Sequence, residues 1–197
     1  INETMIHSFN LLHMMDSNYF IEGSSLAKDS VLTFMGMPLR AVAFLALFLG
    51  FAIKLPIVPF HTWLPDAHVE AATPISVILA ALLLKLGGYG LYRIAFSIFP
   101  DAALHFGYYI AICGVLAIIY GGMNAMAQND LKRMIAYSSI SHMGFVLIGL
   151  GSFTVEGAAG GMFQMIAHGF ISAALFLIVG VLYDRTQNRK IKNFSGL

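Results

Sequence analysis

Charge is scarce in this sequence. Only 11% of the 197 residues are Asp, Glu, Lys or Arg, against about 25% in soluble domains. That scarcity, with 58% hydrophobic residues, excludes an ordinary water-soluble domain. Cysteine is nearly absent. The single Cys113 sits in an apolar run, which rules out a disulfide framework and a thiolate metal or iron–sulfur site on these residues and leaves a small packing side chain. A surplus of one charge sign is missing too. The formal net charge of +1 points away from nucleic acid or another polyanion as partner. There is no phosphate-binding loop and no dinucleotide fingerprint, and LGGYG at 86–90 and GAAGG at 157–161 read as packing glycines. The first thirty residues lack the basic start of a signal peptide and carry Glu3, Asp16, Glu22 and Asp29. With no initiator methionine, the sequence is expected to be part of a longer protein.

What is present is long apolar runs. A bilayer core takes about 20 apolar residues per helix, and five segments qualify: 39–60, 74–98, 105–127, 132–151 and 157–183. The expected fold is all-α, a polytopic membrane helix bundle whose first helix is broken by Pro56 and Pro59. Residues 1–38 read as a loop or short amphipathic segment and 39–197 as the membrane domain. Thr73 before Pro74 reads as an N-cap with proline at the first helical position, and Pro100–Asp101 as a turn. Lys132 and Arg133 share one side with Arg185, Arg189, Lys190 and Lys192, while the other side has Lys28, Arg40 and Arg93. By the positive-inside rule the first side is cytoplasmic, or matrix or stroma in an organelle. The 61–73 loop falls on this side without a lysine or arginine, so it is expected to fold back into the protein.

Four ionisable groups lie inside the expected spans: Lys54, Lys85, His142 and His168. A lysine at bilayer centre costs about 2.5–3.5 kcal/mol on insertion scales. Lys85 stands eleven residues past Pro74, roughly 16 Å along a helix, too deep to snorkel well. Lys54 immediately precedes the break, where prolines free the carbonyls of Ala52 and Leu55. Unpaired carbonyls at depth survive only where protein or water covers them, the pattern of ion-coupled transporters. A lysine that exchanges its proton there is a proton carrier. Gln164, His168 and Ser172 recur every fourth residue, and His142 follows Tyr137, Ser138 and Ser141. Neutral imidazole both donates and accepts, which suits a relay; the alternative is hydrogen bonding that only joins helices. The stripe of Tyr120, Asn124 and Gln128 fits that second role better. His61 and His68 beside the break read as structural, and His7, His13 and His105 as loop or interface residues.

The runs KLPIVPFHTWLPDAHVEAATPISVILAALLLKLGGYGLYR, NDLKRMIAYSSISHMGFVLIG and MIAHGFISAALFLIVGVLYDR resemble the antiporter-like membrane subunits of respiratory complex I, most of all subunit 4, the NuoM type. The resemblance covers 39–197 and is loose over 1–38. LLLKLGGYG and SSISHMG separate it from subunit 5 relatives, which carry histidine at the place of Lys85. The MIAHG form around His168 separates it from subunit 2. The resemblance implies helices seven to eleven of a fold of inverted repeats. It implies that Lys54 pairs with a glutamate on the fifth helix, that Lys85 receives or stores a proton, and that His142 and His168 connect onward. That glutamate and an acid on the twelfth helix fall outside these residues, so this stretch alone is not expected to pump. Ala72 replaces a proline common in the family, which should loosen the loop.

The implied activity is that of a proton-translocating subunit of NADH–quinone oxidoreductase with no redox centre of its own. NADH, flavin, iron–sulfur clusters and quinone are expected on other subunits. Expected partners are neighbouring antiporter-like subunits of the membrane arm, and lipids. The expected setting is a bacterial inner membrane rather than an organellar inner membrane or thylakoid. Alternatives are a Mrp-type cation/proton antiporter, a membrane-bound hydrogenase, or a purely structural membrane subunit.

Overall fold

The computed structural model describes residues 11–15, 26, 33–34 and 36–194. Most of the loop expected over 1–38 lies outside them; within it are a short helix α1 (Leu11–Met15) and a two-stranded ribbon, β1 (Thr33–Phe34) paired antiparallel with β2 (Met37–Pro38). Helix follows from there on: α2 (Leu39–Lys54), α3 (Trp63–Glu70), α4 (Thr73–Ile98), α5 (Pro100–Met126), α6 (Leu131–Gly151) and α7 (Val155–Thr186). A short 3₁₀ turn, Ile191–Phe194, comes after them.

Four helices among the described residues, α4 to α7, are long and apolar enough to cross a membrane. The expectation of five is corrected, because 39–60 does not form one span. Helix α2 stops at Lys54 after 16 residues, about 24 Å at 1.5 Å per residue, short of a hydrocarbon core of about 30 Å. Pro56 has no N–H to continue the ladder. The carbonyl of Ala52 is nevertheless re-paired: the N–H of Ile57 donates to it at 3.0 Å. The indole N–H of Trp63 donates to the Ile53 carbonyl at 2.9 Å. Protein donors thus cover part of the break that the sequence left open.

Together α2 and α3 run the length that α4 runs alone. At the start of α2, Arg40 is buried; it donates to the Ile98 carbonyl at the far end of α4 at 3.1 Å and pairs with Asp101 in the first turn of α5 at 3.4 Å. At the end of α3, Ala71 leads directly into α4. One expected cap and one expected turn differ. Thr73 is already helical, with Ala72 as the capping residue, and its side chain packs on Gly180. Pro100 opens α5 as its first residue, a place where its missing N–H costs nothing. Asp130 and Thr154 cap α6 and α7 with their side chains, accepting from the N–H groups of Arg133 and Gly157.

Small residues set the packing. Helices α5 and α6 run antiparallel along Gly107, Gly114 and Gly121, seven residues apart, which face Gly151, Gly144 and the Tyr137–Ser141 turn backbone to backbone. Such seams let membrane helices approach closely where burial from water contributes nothing. The break in α2 meets α4 at Gly87. A β-carbon there would sit 2.8 Å from the Leu55 nitrogen and 3.1 Å from the Lys54 carbonyl carbon. Gly87→Ala therefore has to push the backbone of the break away. We expect it to cost about 1–3 kcal/mol, read as a lowered thermal midpoint of the full-length protein in lipid nanodiscs; an unchanged midpoint would mean the contact is looser than described.

Candidate functional site

The site grows from the middle of α4. Two turns of this helix are π-helical, Leu79–Leu83 and Leu91–Ala95, and such wide turns often mark functional positions because they misalign carbonyls from the ladder. Lys85 follows the first of them. Its ammonium donates to the Ala80 carbonyl at 2.5 Å. It also lies 2.7 Å from Nδ1 of His168 on α7, within hydrogen-bond distance. Gly169 lies beside this contact: a β-carbon there would stand 3.4 Å from the Ala81 carbonyl oxygen and 3.7 Å from Cε of Lys85, ordinary contact distances. An ammonium in an apolar bundle thus has two acceptors, one from its own helix and one from across the interface.

His168 is buried and its ring centroid stands 5.3 Å from that of His142 on α6. His142 in turn meets the side-chain amide of Gln164, with Nδ1 3.0 Å from Nε2. Of the polar stripe on α7, Gln164 and His168 reach other helices, whereas the Ser172 hydroxyl donates to its own helix at Gly169. Three of the four predicted site residues, Lys85, His168 and His142, are therefore neighbours in one line across α4, α7 and α6. Lys85 also lines an apolar cleft of about 590 Å³ between α4 and α7, with Leu82, Tyr89, Met165 and Phe170 among its walls.

Lys54 is not in that line. It ends α2 with its side chain exposed and no hydrogen bond or ion pair among the described residues. Its backbone, however, lies against Gly87, two residues from Lys85. The stripe on α5 turns inward on its own helix: Asn124 donates to the Tyr120 carbonyl and Gln128 to that of Asn124. The ring of Tyr120 stands edge-on to His61 at 4.8 Å. Among the described residues no group of three or more His, Cys, Asp or Glu converges as metal ligands would.

Sequence reasoning missed the clamp on α3. This half-helix presents unpaired carbonyls and the negative end of its dipole at its C-terminus. Lys132, buried at the start of α6, donates to the Ala71 carbonyl at 2.8 Å. Arg189, past the end of α7, donates to the Val69 carbonyl at 3.0 Å. Arg133 pairs with Asp66 at 2.7 Å. The two cationic segments are tied together by the Asp130–Lys190 bridge and the Arg189–Asp130 pair at 3.5 Å. This explains the loop without basic residues of its own: its neighbours supply the cations. The only hint in the sequence was the DLKR run itself. Lys132→Met strands a buried carbonyl and is expected to cost about 1–3 kcal/mol. Arg133→Met loses a largely exposed pair and is expected to cost less than about 1 kcal/mol. Thermal midpoints of the two full-length variants would separate these; equal losses would contradict the clamp as drawn.

The NADH:quinone oxidoreductase/Mrp antiporter transmembrane family model matches residues 4–197. NADH-quinone oxidoreductase subunit M of Rickettsia prowazekii is 53% identical over 192 residues, covering 98% of this chain and 36% of that protein. Among solved structures, respiratory complex I from Thermus thermophilus with bound NADH contains a chain similar at TM-score 0.74 and 34% identity, over 84% of this chain and 35% of that one. The Mrp complex from Dietzia sp. contains one similar at TM-score 0.68 and 27% identity, over 72% of this chain and 26% of that one. The chain spans only 36–38% of the length of the two Rickettsia subunits M matched first.

Proposed function

Because the chain belongs to the NADH:quinone oxidoreductase/Mrp antiporter transmembrane family, we propose that it is the lysine- and histidine-bearing part of a proton-translocating membrane subunit of the subunit M type. In this reading it works in the membrane arm of a bacterial inner-membrane complex, beside other antiporter-like subunits, and electron transfer to quinone takes place elsewhere in the assembly. The observation that carries the proposal is the 2.7 Å contact between Lys85 and His168 across the α4–α7 interface.

The chemistry runs through this chain's own atoms. When charged, Lys85 donates an N–H to Nδ1 of a neutral His168 whose proton is on Nε2. Transfer along that bond leaves a neutral amine and an imidazolium. The imidazolium passes its Nε2 proton towards His142, with ordered water spanning the gap between the rings, and Gln164 orients the second imidazole. The ring is left with its proton on Nδ1, and exchange of that proton to Nε2, by reorientation or through water, resets the pair for the next proton on Lys85. Lys54 sets the direction. At the break in α2 its backbone packs on Gly87 of α4, and pairing its charge with a carboxylate elsewhere in the full protein, or releasing it, would change the potential along the line. Each step moves one charge and thereby shifts the next group's affinity for its proton.

A Mrp-type cation/proton antiporter is the second reading, favoured by the family description and the likeness to the Dietzia complex. The higher identity to subunit M argues for the first. A purely structural subunit is the third. Lys85→Met in the full-length protein, measured in inner-membrane vesicles for proton pumping and electron transfer, separates relay from scaffold. We expect pumping to fall about a hundredfold with the complex still assembled. Normal pumping and turnover would leave Lys85 a packing residue.

A further inference from the structure

The basic end of the bundle holds a second cleft, apart from the one at Lys85. It encloses about 430 Å³ where the end of α5, the start of α6 and the last third of α7 meet, and Met126, Leu131, Met134 and Leu182 are among its walls. Its one polar wall residue is Ser138, and that hydroxyl donates to the Ile135 carbonyl of its own helix at 2.7 Å. The interior therefore leaves no group for a polar ligand and suits hydrocarbon.

The depth of the cleft follows from α6. Its 21 residues measure about 31 Å, which matches a hydrocarbon core of about 30 Å. Leu131, its first residue, thus marks the edge of that core. The Leu131 N–H donates to the Arg189 carbonyl at 3.0 Å, so the end of α7 is level with the start of α6. The cleft opens at this edge, where the headgroup layer begins.

Two cations stand at the mouth. On α7, Leu175, Ile178 and Leu182 form one stripe along the cleft, and Arg185 is the next position of that stripe. A helical side chain leans towards the N-terminus, which carries the Arg185 stem back over Leu182. Lys190 bridges Asp130, next to Leu131 of the wall. The other cations at this end are engaged: Lys132 with Ala71, Arg133 with Asp66, Arg189 with Val69 and Asp130. Asp184, the remaining acid nearby, acts on Lys132. The side chains of Arg185 and Lys190 are exposed, with no hydrogen bond or ion pair among the described residues.

We infer that this cleft binds an anionic phospholipid of the leaflet on the basic side, with an acyl chain between α6 and α7 and the phosphate at Arg185 and Lys190. A guanidinium meets phosphate with two parallel N–H donors, and an ammonium adds a point charge. Basic pockets between membrane helices hold acidic headgroups in this way. An apolar helix laid over the cleft would cover its walls but give the two cations no counter-charge. An anionic lipid supplies both. The site is separate from the relay and does not depend on it.

Phospholipids carrying a diazirine in one acyl chain test this. The full-length protein in its native assembly, in phosphatidylcholine vesicles, is crosslinked to probes with either a phosphatidylglycerol or a phosphatidylcholine headgroup, and the adducts are mapped by mass spectrometry. We expect the phosphatidylglycerol probe to label 125–138 and 175–182 in preference to the phosphatidylcholine probe. The probe fraction for half-maximal labelling should rise about fivefold in Arg185→Gln and about thirtyfold in the Arg185→Gln, Lys190→Gln double variant. Both substitutions fall on exposed, unpartnered side chains, so assembly should be unchanged. Equal labelling by the two probes, or labelling that the double variant leaves unchanged, overturns the inference. So does absence of adducts in these segments while other lipid-facing segments are labelled, which would mean that a helix of the remaining protein fills the cleft.

Discussion

An ammonium group in an apolar bundle must find acceptors, and the way Lys85 finds them organises much of this chain. One acceptor comes from a π-turn in its own helix, which brings the Ala80 carbonyl within reach. The other is His168, which requires α7 to pack against α4. His168 stands between Lys85 and His142, its ring 5.3 Å from that of His142. Placing one side chain thus also places an interface.

The broken helix is the second consequence. Two prolines end α2 in mid-membrane, which would strand carbonyls in lipid. The chain answers with donors of its own: Ile57 and Trp63 at the break, and Lys132 and Arg189 at the end of α3. Cations at that end also face the negative pole of the half-helix. The basic residues that mark one side of the bundle therefore have a structural task in addition to any role in orientation. Gly87 lets the backbone of the break press against α4, two residues from Lys85.

Much of this was legible in the sequence. Apolar length identified α4 to α7, and the lysines and histidines stood out because ionisable groups are costly in such runs. The spacing of His168 and Gln164 correctly placed them on one face. The first span misled because hydropathy averages over prolines: 39–60 is apolar enough, yet the ladder ends at Lys54. The seam of Gly107, Gly114 and Gly121 was visible at seven-residue spacing but overshadowed by the denser glycine clusters. The clamp was not readable, because Lys132 and Ala71 are 61 residues apart and nothing local links them. The surroundings of His68 were hidden for the same reason: only the packed fold shows that its ring is enclosed, with no hydrogen-bond partner for either nitrogen among the described residues.

The central claim is that Lys85 and His168 share a hydrogen bond along which a proton moves. Solid-state NMR of the full-length protein in lipid, with lysine and histidine labelled with ¹⁵N, measures this contact directly. A dipolar correlation between Lys85 Nζ and His168 Nδ1, matching a separation near the 2.7 Å of the structure, is the result this account predicts. Both resonances present without a correlation, at a separation beyond about 4 Å where no hydrogen bond exists, would contradict it.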